Sequence, residues 1–161
     1  MKRTPGTVAA IALAMLAVAV PAAGAQEQTR EGYAAQVEPI CERDKAAGEQ
    51  ILGGTKDNIN EGKLTLAGRQ LIEASSRFGA TIRQLAAVPR PPADETKLQK
   101  WFKFLRIVKT RLGKTGKLYK EGKKLEATHE SIRAEKSGNA ANNVSFAFGF
   151  RECRLGRSRF S

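Results

Sequence analysis

Histidine occurs once in these 161 residues, and cysteine and methionine only twice each. A di-iron carboxylate bundle needs a Glu-x-x-His motif on two helices and two further glutamates. This chain has one such motif, Glu126-Ala-Thr-His129, and no second histidine to complete it. No Cys-x-x-Cys-His attachment site for haem is present. Both methionines, Met1 and Met15, lie within the first 25 residues. Zinc and copper sites want more soft or imidazole ligands than this. The sequence also lacks a Gly-x-Ser-x-Gly elbow, so His129 has no matching nucleophile motif. Carboxylate pairs such as Asp94-Glu95 sit at a helix start, where the helix dipole accounts for them. The expectation is a protein without cofactor, metal site or catalytic residues.

Signals for strands are nearly missing as well, and after residue 25 no run is apolar enough to span a bilayer. The first 25 residues are different. Lys2 and Arg3 precede an uncharged stretch from Thr7 to Val20, then Pro21 and the small residues Ala23-Gly24-Ala25. That order predicts a cleavable secretory signal cut after Ala25, leaving residues 26–161 as a single helical domain outside the cytoplasm. The rival is an uncleaved anchor, but the apolar stretch is about 14 residues against the roughly 20 a bilayer requires. The residue directly after the cut is Gln26 and not a cysteine, which argues against a lipoprotein.

The two cysteines, Cys41 and Cys153, form no Cys-x-x-Cys. In an exported chain an even pair predicts a disulfide. It would close a loop of roughly 110 residues and stabilise the fold by about 4–5 kcal/mol.

Four stretches carry helical periodicity. The first covers about residues 30–61, with Tyr33, Val37, Ile40, Ala47, Ile51 and Ile59 on one face; Pro39 either kinks it or marks its start near Glu38. The second covers about 63–88 and ends at Pro89-Arg90-Pro91-Pro92. In the third, Leu98, Trp101, Leu105, Val108, Leu112, Thr115 and Tyr119 recur at alternating steps of three and four, a left-handed bundle seam. The fourth, about 123–148, is interrupted in pattern by Ser137-Gly138-Asn139, and the reading favoured is one continuous helix. Glu-Gly-Lys turns at 61–63 and 121–123 make two hairpins, joined by the proline linker. Short connections predict an all-α, up-down-up-down four-helix bundle. Cys41 and Cys153 then fall at the same end, an argument that uses none of the periodicity.

Two features invite function. The formal net charge is +12, or +10 once Lys2 and Arg3 leave with the signal. Much of it crowds the third stretch at Lys97, Lys100, Lys103, Arg106, Lys109, Lys114, Lys117 and Lys120. One reading is a solvated face that keeps the protein in solution. The other is an anion-binding face for cell-envelope polymers or a membrane surface. Trp101 and Tyr119 belong to the seam, which argues against base stacking and sequence-specific nucleic-acid recognition. Phe146, Phe148 and Phe150 form the second feature. They plug one bundle end or line an apolar pocket there.

The segments Tyr33-Ala-Ala-Gln-Val-Glu-Pro-Ile-Cys41, Val88-Pro-Arg-Pro-Pro-Ala-Asp-Glu95, Ala141-Asn-Asn143 and Ala147-Phe-Gly-Phe-Arg-Glu-Cys153 together resemble a group of small exported helical proteins of actinobacteria that carry the same two cysteines. The resemblance runs over nearly all of residues 26–161. It implies export and the disulfide, and it brings no catalytic residues with it. The sequence therefore predicts an exported, non-catalytic bundle that binds an anionic partner. A carrier of a small apolar molecule is the alternative, and a metal-dependent enzyme built on Glu126 and His129 ranks third.

Overall fold

A computed structural model describes residues 27–156, so the predicted signal segment lies outside the described residues. Helix α1 spans Arg30–Leu52, α2 Thr55–Asn60, α3 Leu64–Ala87, α4 Glu95–Lys120 and α5 Lys124–Phe148; a 3-10 turn at Pro92–Asp94 precedes α4. The four long helices pack as a bundle, and Cys41 in α1 is bonded to Cys153 just beyond α5, with Cα atoms 4.9 Å apart. Start of first helix and end of last share one end of the bundle, as the up-down-up-down reading requires.

α1 begins at Thr29, whose side-chain oxygen accepts from the Gly32 amide at 3.0 Å. The helix runs through Pro39 without breaking. Pro39 and Ala35, whose carbonyl loses its usual i+4 donor, are both exposed, so water can satisfy the orphaned acceptor. The predicted first helix is shorter than expected at its other end. Gly53-Gly54 interrupts it, with Gly54 at φ 71°, and α2 starts afresh. Gln70 of α3 stitches this break: its amide donates to the carbonyls of Ile51 (3.1 Å) and Gly53 (2.9 Å), and its oxygen accepts from Asn58 (3.0 Å).

α5 is continuous through Ser137-Gly138-Asn139. Gly138 is buried there, and the inward residues along α5 include Ala127, Ala134, Ala141 and Ser145. Small side chains let α5 lie close to α4, and they are why its apolar pattern is faint in sequence.

The core has two parts. At the disulfide end Tyr33, Trp101, Phe102, Phe148 and Phe150 pack with the aliphatic residues of α3 and α4. Trp101 and Phe150 rings stand 5.2 Å apart, Phe148 and Phe150 4.9 Å. At the other end Leu71, Ala74, Leu112, Tyr119 and Ala127 make a thinner cluster.

The chain after α5 is turned by a glycine and fastened by polar side chains, chiefly Glu38 and Asn142. Gly149 at φ 80° turns it. Glu38 accepts the amides of Arg151 and Glu152, both at 2.7 Å. Asn142 exchanges two hydrogen bonds with the backbone of Leu155, at 2.8 and 2.7 Å. Phe150, Cys153 and Leu155 are buried as a result.

Candidate functional site

α4 carries its cations at steps of three residues, and a step of three on an α-helix drifts backwards by about 60°. Lys97, Lys100, Lys103, Arg106 and Lys109 therefore wind around the exposed arc of α4 and do not form a stripe. The structure sorts them by neighbour. Lys97 pairs with Asp94 at 3.3 Å, and Lys114 with Glu130 of α5 at 3.2 Å. Lys100, Lys103, Arg106, Lys109, Lys117 and Lys120 form no ion pair among the described residues.

The packing of α3 on α4 brings some of these together with a residue the sequence did not single out. Arg83 of α3 joins Lys109, Lys114 and Lys117 along an open groove of about 490 Å³ between the two helices, with Ser76 and Thr110 beside them. Two glycines shape it. The Lys109 stem lies against Gly79, its Cε 3.3 Å from where a Cβ would stand. Gly113 leaves room for the Ser75 hydroxyl, which donates to the Lys109 carbonyl at 2.8 Å. Long aliphatic stems bury along such a groove while their ammonium heads stay hydrated.

Charge is partitioned unevenly between the helices. Residues 64–120 hold thirteen Lys and Arg against three acids, Glu73, Asp94 and Glu95. Two of those acids are already neutralised. Asp94 is buried and gripped by Arg30 at 2.6 and 2.8 Å, and Glu95 pairs with Arg90 at 2.6 Å. The Arg30 hydrogen bond holds the Asp94 carboxyl below the ordinary carboxylate range, with Lys97 assisting against the effect of burial. Residues 30–60 have the opposite balance, six acids against four bases.

Glu130 was passed over in sequence beside the more conspicuous His129. His129 is exposed; Glu130 is buried. Burial by itself would raise the Glu130 carboxyl, but hydrogen bonds from Lys114 and Arg111 outweigh it and hold the group low. Arg111 lies 2.7 Å away and Arg133 3.5 Å. This cluster ties α4 to α5 and is explained by that role. Among the described residues no three His, Cys, Asp or Glu side chains gather as a metal site would require.

The phenylalanine trio is divided. Residues two apart on a helix cannot share a face. Phe146 is 70% exposed, with the Arg154 guanidinium 5.0 Å from its ring. Phe148 and Phe150 are buried in the aromatic core, Phe150 because the Gly149 turn swings it back inward. Phe146 thus stands on the surface, apart from the buried pair Phe148 and Phe150. No described helix is long and apolar enough to cross a membrane.

Compared with known proteins, the chain matches no family model, no curated protein and no solved structure.

Proposed function

We propose that the protein is exported and acts without catalysis, binding an anionic polymer or anionic headgroups at the cell envelope through the α3–α4 face. The observation that carries this reading is the charge partition. Residues 64–120 hold thirteen cations against three acids, and of those cations Arg90, Lys97, Arg111 and Lys114 are engaged in ion pairs among the described residues. The groove holding Arg83, Lys109, Lys114 and Lys117 is where cations from two helices converge. The disulfide suits an oxidising compartment, and the sequence of residues 1–25 supplies the route to it. The hydroxyls of Ser76 and Thr110 add hydrogen bonding without base-stacking platforms, which fits diffuse recognition of phosphate or carboxylate.

The test compares two variants of equal net charge. Replacing Arg83, Lys109 and Lys117 by glutamine removes groove cations. Replacing Arg43, Lys56 and Lys136, which are exposed elsewhere, removes as many from outside it. With about 1 kcal/mol per basic residue near an anionic membrane, the groove variant loses roughly a hundredfold in affinity for phosphatidylglycerol vesicles. The control variant loses much less, and binding falls steeply with salt. Polyphosphate run in parallel separates polymer from headgroup recognition. Equal losses in the two variants would reduce the face to bulk charge and overturn the reading.

A further inference from the structure

The end of the bundle remote from the disulfide contains a hollow of about 250 Å³ that the basic face does not use. Its floor is the thin second core, Leu71, Leu112 and Tyr119. One wall is α2 with the end of α1, through Leu52, Thr55 and Ile59; the other is α5, through Ser131, Ile132 and Ala134. The hollow exists because α5 presents small residues inward while Gly53-Gly54 turns α2 aside, held there by Gln70. Two observations point to an occupant. The wall residue Ile132 is 46% exposed, leaving apolar surface in contact with water. Thr55 is only 7% exposed, and its hydroxyl is buried with no hydrogen-bond partner. A buried unpaired hydroxyl is destabilising, and a ligand oxygen placed there would relieve it. The other threonines on the wall are satisfied: Thr115 donates to Arg111 and Thr128 to Lys124, each at 2.9 Å.

We propose that this hollow binds a small, neutral, largely apolar molecule bearing one hydroxyl or carbonyl group, anchored at Thr55. A cavity of about 150 Å³ accommodates benzene, so this one suits a molecule of about ten non-hydrogen atoms. The floor is apolar, and the two ionisable side chains on the lining, Lys56 and Glu135, are exposed at the rim and opposite in sign, so the hollow favours neither a cation nor an anion. The hollow shares no lining residue with the α3–α4 groove. The apolar-ligand site thus moves away from the phenylalanines, which are committed to the core or to solvent, to the opposite end.

The probes are 2-naphthol and naphthalene, which share a ring system and differ by one hydroxyl. Both are titrated into the protein by calorimetry and followed by NMR. Saturable binding at one site is expected, with shifts concentrated at Ile59, Leu112 and Ile132. Naphthol should bind the more tightly. Thr55→Val keeps the shape and removes the hydroxyl; it should weaken naphthol about tenfold and leave naphthalene unchanged. Ile132→Trp, at an exposed position that tolerates size, should fill the mouth and abolish binding of both without lowering the melting temperature. Absence of saturable binding by either probe would overturn the proposal. So would binding that survives Ile132→Trp, and naphthol affinity indifferent to Thr55→Val would remove the anchor.

Discussion

Gly68 of α3 and Gly116 of α4 touch backbone to backbone. A Cβ on Gly68 would stand 2.5 Å from the Gly116 carbonyl oxygen, and one on Gly116 would stand 2.6 Å from that of Gly68. Neither obstacle is a side chain that could move aside. We expect Gly68→Ala or Gly116→Ala to destabilise the bundle by about 2–3 kcal/mol despite alanine's better helix propensity. Gly79→Ala provides the contrast. There the nearest atom is the far end of the Lys109 stem, 3.3 Å away. It should be neutral or stabilising by up to about 1 kcal/mol, as read by chemical denaturation.

Acid should loosen the structure through Asp94, which joins the start of α1 to the start of α4 by way of Arg30. Its folded-state pKa lies below its unfolded value near 4. The resulting stability is therefore present above about pH 4 and is lost as pH falls through the folded value. Glu130, also held low, adds in the same direction. Asp94→Asn should lower stability at neutral pH and flatten the acid limb of a plot of melting temperature against pH. An unchanged limb would assign acid sensitivity to other groups.

Tyr33 governs the alkaline side. Burial pushes its phenol up to about 12, with Arg90 opposing and Glu95 assisting. An unfolded tyrosine ionises near 10, so stability should fall as pH rises from about 10 towards 12. The Tyr33 hydroxyl is also buried without a partner. Tyr33→Phe should then be neutral or stabilising by up to about 1 kcal/mol at pH 7, and should remove the alkaline loss. Ultraviolet titration of the phenol together with denaturation curves would check both halves.

Converting Cys41 and Cys153 to alanine should cost about 4 kcal/mol, given 112 residues of separation. Glu38 and Asn142 continue to hold the chain after α5, so far-ultraviolet circular dichroism below the transition should be unchanged. A variant that unfolds at room temperature would instead make the disulfide indispensable to the fold.

The sequence disclosed those elements whose logic is local. Alternating steps of three and four from Leu98 to Tyr119 announced α4, and the two Glu-Gly-Lys turns placed the hairpins. The pairing of Cys41 with Cys153 followed from an even cysteine count in a chain with an export signal. Contacts whose meaning depends on a partner helix were not legible. Gly68 and Gly116 are ordinary helix-weakening residues until α3 and α4 meet. Gln70, Asn142 and Glu38 look like surface residues, yet each is fixed by backbone groups far along the chain. Glu130 became visible only when α4 brought Arg111 and Lys114 to it. The Gly53-Gly54 break had a local signal, and the apolar spacing of Ile51 and Ile59 across it masked that signal. For the basic groove, α4 was readable, but Arg83 enters from α3 and needed the packed structure.

The unequal sharing of charge between residues 64–120 and residues 30–60 has a rotational consequence. A body positive on one flank and acidic on the other feels a torque in the field of an anionic surface before it makes contact. It turns the α3–α4 flank inward, and α1 trails. The mouth between α2 and α5 belongs to the other helices, so docking through the proposed α3–α4 face would leave it open to the surroundings.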